Sequence, residues 1–508
     1  MAKSQNPKPA RMSRGKVWTF SIISGLAVVA LSAASIVGPP LVNGIDPVGE
    51  NASARISQKV SQTLLTSYCP SQVSLNDQES YGDSEFSVSQ GDLSSAKRFA
   101  AIGSVYSSSL NSLSSEKVSD AVEGDDSFAL GGLKAEEPTV LSSTLLSAEK
   151  GTGSTGTVAS WASSGDVQGL AATRCTGSAL TSSFVVPSTT TGNTSTLVVA
   201  NTSDKPTSVS VELWGASSQG SIAASTDSTL TVAAHSEKTL NLSAAAADQE
   251  GLFVTLTSKV VPVYSVVKVT SASGLTSKGV EYAGASSKIS GTTSLTGVHE
   301  GQKMTVRAFS QKSQTVQVTW TGENDEKEAK EIVVEAGKLA SVDLGSVPQG
   351  MNALRVESAE GLYVSATALN DAEGQQDFSV LSPNAAVASS AVTIPDGTNA
   401  SLTIANEGNK KQEVSFQGID SSGKIVGTKK RSISGMRSVS VPLDDIGSSV
   451  VTVVLTVPDD SHIVWSASLG VKALTDAKVS AAAVVEPTSL MPQTSVVTST
   501  RSPLVSAR

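Results

Sequence analysis

Leu197, Asn201 and Val209 recur as Leu402, Asn406 and Val414, each 205 residues further on and with no gap between them. The stretches that carry them are "STLVVANTSDKPTSVSVELWG" from Ser195 and "ASLTIANEGNKKQEVSFQGID" from Ala400. One spacing held over three positions marks an internal repeat. A third copy, "KMTVRAFSQKSQTVQVTWTG" (Lys303–Gly322), lies between them. It places Met304 and Val306 where the first copy has Leu197 and Val199, and Val316, Val318 and Trp320 where it has Val209, Val211 and Leu213. The copies stay in step downstream. "EKTLNLS" (Glu237–Ser243) answers to "LASVDLG" (Leu339–Gly345) and "RSVSVPL" (Arg437–Leu443). "YSVVK" (Tyr264–Lys268) answers to "VSATA" (Val364–Ala368) and "WSASL" (Trp465–Leu469).

Within "VSVELWG", Val209, Val211 and Leu213 alternate with Ser210 and Glu212. In a strand this turns every second side chain to one face. The intervening "NTSDKP", "NEGNKK", "IDSSGK" and "GENDEK" are rich in residues that accept turn dihedrals. Each copy holds at least five such runs, and the unit of roughly 100 residues suits a two-layer sandwich. The predicted fold is therefore all-β: tandem immunoglobulin-like antiparallel β-sandwiches, with Val, Leu and Ala supplying cores that need few aromatics. A propeller blade of about 45 residues is too short to be the unit, unless each copy supplies two.

The repeats divide the chain into sandwiches at 191–300, 301–390 and 391–485. Residues 46–190 precede them as a β-rich domain with flexible, polar segments such as "NDQESYGDSEFSVSQGDLSS", and 486–508 reads as a disordered tail. Residues 1–45 differ from the rest. Lys3, Lys8, Arg11, Arg14 and Lys16 form a basic segment, followed by the uncharged run Val17–Val37. Twenty-one helical residues span about 30 Å, enough for a bilayer core. Basic flanks stay inside, so the expected arrangement is a single-pass membrane anchor with the bulk of the chain extracytoplasmic. A cleaved signal peptide, ending near Ser32–Ala34, is the alternative, and would make the chain secreted. On that side of the membrane Cys69 and Cys175 are expected to form one disulfide.

Chemistry is harder to find. The net charge of −9 argues against nucleic acid as a partner. His235, His299 and His462 have no second His or Cys at metal-ligand spacing, so no metal or cofactor is expected. Ser94–Lys97 and Ser147–Lys150 have the Ser-x-x-Lys spacing of an acylating serine, but no Ser-Asp-Asn or Lys-Thr-Gly box accompanies them. "GTGSTG" (Gly151–Gly156) reads as a loop without a phosphate pattern. The acidic clusters Gly124–Asp126 and Glu323–Glu328 read as solvated turns, with weak calcium binding as the functional alternative. Trp320 and Trp465 fall in register with core positions. Trp214 follows inward-facing Leu213 and should face the other way, which makes it the one candidate for an exposed ligand contact.

The "YCP" cysteine, "RCTGSALTSSFVVP" and the strand pair after it resemble a family of actinobacterial exported or membrane-anchored proteins of unknown function with tandem β-sandwich repeats. The resemblance implies no catalytic residues. The chain departs from the pattern after the second cysteine, where "SSF" replaces a Trp-rich stretch. The combined expectation is a non-enzymatic protein of the cell envelope, a scaffold or accessory factor that binds an envelope protein or wall polymer. The alternative is a carbohydrate-binding module array with Trp214 as a platform.

Overall fold

The computed structural model describes residues 55–75, 89–119, 122–123, 127–274, 276–372, 375–481 and 483–500. The basic segment and the apolar run Val17–Val37 lie outside these. Among the described residues no helix is long and apolar enough to cross a membrane. Two compact units are distinguished. The described ends of the chain, up to Lys59 and from Val496, belong to a two-stranded sheet between Arg55–Ser61 and Thr494–Thr500. The second unit, Val60–Ser495, holds everything that follows.

As the alternation requires, the architecture is all-β. The second unit contains four sandwiches, each built on eight strand positions in two sheets, and all four share one order of those positions. In the first repeat the first, sixth, third and fourth strands make one sheet: Thr181–Val186, Leu252–Ser258, Thr207–Gly215 and, shared in the fourth place, Ser221–Ile222 and Thr229–Val232. The fifth, second, seventh and eighth make the other: Ser236–Asn241, Asn193–Asn201, Tyr264–Ser273 and Thr276–Ala283. Leu197 and Val199 from one sheet and Val209, Val211 and Leu213 from the other share one buried core. Because the first strand lies beside the sixth and the second between the fifth and the seventh, neither sheet follows the up-and-down order of a propeller blade. The order also differs from that of a constant-type immunoglobulin domain, where the first strand lies beside the second. Here it lies beside the sixth.

The second repeat keeps this order over residues 289–381, with its sixth and seventh strands fused into one, Met351–Ala372, that passes from one sheet to the other. The third repeat keeps it over residues 389–485. Leu197, Met304 and Leu402 are all fully buried on the second strand of their copies. Each sandwich begins some residues ahead of the quoted hairpin, at Thr181, Ile289 and Ser389; in the first two repeats that strand lies in the segment the sequence assigned to the module before, and in the third it starts two residues ahead of the expected boundary.

The fourth sandwich was not expected to be a copy. It spans residues 64–174, with Leu64–Cys69, Thr139–Leu145, Val105–Asn111 and Val122–Glu123 in one sheet. Phe128–Leu133, Ser94–Ile102, Gly153–Ala162 and Gly169–Arg174 form the other, which reproduces the order of the repeats. The expected disordered tail is also corrected as far as Thr500. Thr488–Ser489 pairs with Ser390 and Ala391, Leu490 is buried against Gly153, and Thr494–Thr500 is a strand. An apolar side chain with a groove to fill outweighs the local Pro and Ser content.

The eighth strands explain how the sandwiches are arranged. Each is the edge of its sheet, and an exposed edge invites pairing with other chains. Here Gly169–Arg174 packs on Thr276–Ala283, which packs on Gln375–Leu381, then Ala483–Val485, which returns to Gly169–Arg174. Four edges are thus turned inward onto one another in a closed circuit.

Candidate functional site

Two buried carboxylates, Asp377 and Glu281, serve the joints of this circuit. Asp377, fully buried on the eighth strand of the second repeat, accepts hydrogen bonds from Leu170 N (2.9 Å) and Val280 N (3.2 Å). Two residues further along both strands, Glu281 Oε1 accepts from Ala172 N (2.9 Å) and Tyr282 N (2.8 Å). Two carboxylates therefore satisfy edge N–H groups of two sandwiches at once. Room for Asp377 comes from Gly169 (φ 134°) and Gly279 (φ 114°): a Cβ at either would stand within 2.6 Å of Oδ1. Burial pushes the Glu281 carboxyl well above the ordinary glutamate range, outweighing its two backbone hydrogen bonds, and Asp377 and Glu486 add to the rise. Glu486, also raised by burial, lies 3.6 Å from Arg174 Nε.

Several candidates from the sequence are likewise engaged in structural contacts. Lys97 is buried and donates to Glu137 O and Thr139 Oγ1, while Ser94 Oγ donates to Asp92 O; the Ser-x-x-Lys pair is not brought together. Burial lowers the Lys97 ammonium to about 8. Lys150 donates to Val457 O and Asp459 Oδ1, tying the N-terminal sandwich to the third repeat. Of the acidic run Glu323–Glu328, Glu326 takes hydrogen bonds from Arg355 and Arg437, and Glu323 from Arg431. That run is an ion-pair joint between the second and third repeats. Gly124–Asp126 lie outside the described residues. His235 Nε2 is 2.8 Å from Asp204 Oδ1 and Nδ1 is 3.1 Å from Leu113 O. Among the described residues no group of three or more His, Cys, Asp or Glu could hold a metal ion.

Cys69 and Cys175 are joined, as expected, with Cα atoms 4.3 Å apart. Trp214 does face away from Leu213, but what it meets is protein. Its ring centroid is 5.4 Å from Phe253 and 5.6 Å from Phe309, while Phe253 stacks on Phe309 at 4.0 Å. Phe309 belongs to the second repeat, so Trp214 is half-buried in an aromatic joint between repeats. Trp320 and Trp465 are buried, as their register requires.

Beside that joint lies the feature best suited to take a ligand. A cleft of about 770 Å³ opens between the first and second repeats. That volume is within the range of small-molecule sites. Lys278, Lys303 and Arg307 line it together with hydroxyls, among them Ser271, Thr305 and Thr367, over an apolar strip that includes Leu369 and Phe378. Arg307 is the fixed element. It is buried, its Nε donates to Glu250 O (2.8 Å) and its Nη1 to Thr367 Oγ1 (2.7 Å). Burial lowers the guanidinium to about 10, so it stays charged at neutral pH. Sequence reasoning missed Arg307 because it sits at an outward position of a strand whose neighbours read as ordinary alternation. What makes it special is the sandwich that packs on it.

Fold and joints together define a class: tandem antiparallel sandwiches closed on their own edges, with ligand-sized space between modules. Within that class, the chain belongs to a family of unknown function, DUF5719, which it matches over residues 133–444. The match takes in the first two repeats and stops within the third. No match to a curated protein was found.

Proposed function

We propose that the chain is a non-enzymatic binding or scaffold protein of the cell envelope, anchored by Val17–Val37 and displaying its four sandwiches outside the membrane. The observation that carries this reading is where the ionisable side chains go. Lys97, Lys268, Glu281 and Asp377 are bound to backbone or hydroxyl groups, most of them across joints between sandwiches, and so build a rigid display rather than a reacting centre. The Cys69–Cys175 disulfide suits an oxidising compartment. The test is fractionation of cells that make either the full chain or one lacking residues 1–45. The full chain should sediment with membranes, be open to added protease from outside, and carry an oxidised cysteine pair. The shortened chain should be soluble and folded. A full chain found reduced in the cytosol overturns the proposal.

A second reading, recognition of glycans, draws support from the cleft between the first two repeats rather than from Trp214, whose outer face is occupied by Phe253 and Phe309.

A further inference from the structure

The cleft between the first and second repeats has a chemistry of its own. Its deepest charge, Arg307, is held at Nε and Nη1, and Nη2 has no hydrogen-bond partner among the described residues. A guanidinium pinned at one side in this way presents its remaining N–H groups in a fixed direction, the arrangement that suits a carboxylate or phosphate oxygen. Thr367 Oγ1 and Thr305 stand beside it. Lys278 and Lys303 add positive charge to the wall. Lys303 pairs with Asp371 at 3.3 Å, and Asp343 is the acidic residue of the lining. Asp371 and Glu250 offset part of the positive charge, so the case for an anion rests on Arg307, whose guanidinium is held in place by Glu250 O and Thr367 Oγ1. The rest of the wall alternates hydroxyls with an apolar strip, which matches a ring that carries hydroxyls on its rim and C–H groups on its faces.

We infer that this cleft binds an acidic saccharide: one anionic group held by Arg307, on a hydroxyl-bearing ring that lies along the half-buried Leu369. The inference rests on the glycan-binding reading and gives it a place and a ligand class. Because the site is built from two repeats, it exists only when their joint is closed.

Calorimetric titration of the full chain with glucuronic acid, glucose 6-phosphate and glucose tests it. One or both acidic sugars should bind saturably, and which of them binds tells a carboxylate ligand from a phosphate. Glucose should bind at least about tenfold more weakly, the loss of one charge-assisted hydrogen bond. Arg307→Lys keeps a charge but not the fork, and Lys278→Gln removes a charge at the wall without touching the joint at Glu250. Each should weaken binding of the acidic sugar. No saturable binding of either acid sugar, equal affinity for glucose, or indifference to both substitutions overturns the assignment. So does binding of triglutamate in place of the sugars, which would give the cleft to an acidic peptide. In any of those cases the full chain can still sediment with membranes and display its oxidised disulfide, so the envelope proposal fails or stands separately.

Discussion

The third strand of the first repeat turns Val209, Val211 and Leu213 inward, whereas the third strand of the N-terminal sandwich turns in Val105, Ser108 and Leu110. Strand order is the same in both, so topology does not require an aliphatic face. In the N-terminal copy Ser108 Oγ meets Ser143 Oγ at 2.6 Å in the core. The remaining cluster is Phe99, Leu110, Ala135, Leu141 and Val158, with Cys69 and Cys175 among them. A repeat sandwich is held by area removed from water, while this one has less such area and carries a covalent bond through its middle. The lesson is that one fold can be stabilised by two different balances, and the two should respond differently to perturbation.

The largest separation should come from reduction. Opening a loop that spans 106 residues costs about 4–5 kcal/mol in the chain-entropy account. Scanning calorimetry of the full chain with Cys69→Ala and Cys175→Ala should reveal a new low-temperature transition for the N-terminal sandwich, with the repeats melting near their original temperature. A chain whose whole profile is unmoved would show that the apolar core suffices there too.

Core truncation probes the other side. Leu197→Ala, Met304→Ala and Leu402→Ala should each cost about 2–5 kcal/mol by denaturant titration, since each empties an equivalent site. In the N-terminal copy, Ser108→Ala alone strands Ser143 and should cost about 1–3 kcal/mol, whereas Ser108→Ala with Ser143→Ala should come close to neutral. Three unequal repeat values would break the equivalence. A double substitution as costly as the sum of the singles would show that the hydroxyl pair is not what is being measured.

These contrasts also explain what could be read from the chain. The repeats were legible because an aliphatic face writes period-2 alternation, and because Asn201 and Asn406 do the same work. Asn201 Nδ2 donates to Lys205 O and Ala233 O, and Asn406 Nδ2 to Lys410 O and Ser434 O, binding one turn to the next in each copy. The second repeat has Ala308 in that place, closes a shorter turn, and uses Ser310 Oγ to reach Gly361 O. The fourth copy was hidden because Ser at inward positions erases the alternation. The tail was misread because Leu490 finds its groove on another sandwich. Arg307 and the carboxylates Asp377 and Glu281 were invisible for the same reason: their roles are set by contacts between modules, and a sequence read one module at a time does not contain them. Asn201→Ala and Asn406→Ala should each cost about 1–3 kcal/mol, with matching values, because each leaves the same carbonyls unpaired.

The smallest effect concerns the centre of the circuit, where the N-terminal copy and the repeats meet on equal terms. Glu281 Oε2 has no hydrogen-bond partner among the described residues, and burial holds the carboxyl well above its ordinary range, with Asp377, Glu486 and Tyr282 packed around it. Between the ordinary glutamate value and the raised one, the folded chain keeps a proton that the unfolded chain has lost. Stability from this group is therefore full in acid and declines as pH rises from about 4.5 toward the raised value, by at most about 1.4 kcal/mol per pH unit for one proton. Glu281→Gln keeps the oxygen that Ala172 N and Tyr282 N need and removes the titration. Its stability, followed by urea titration from pH 5 to 8, should fall less steeply than that of the unaltered chain. Glu407, raised to about 8 by burial, continues to contribute a slope of the same sign in both. Curves that stay parallel would mean that Glu281 is already ionised in the fold. The joint between the N-terminal sandwich and the first repeat would then rest on a charge rather than on a protonated pin.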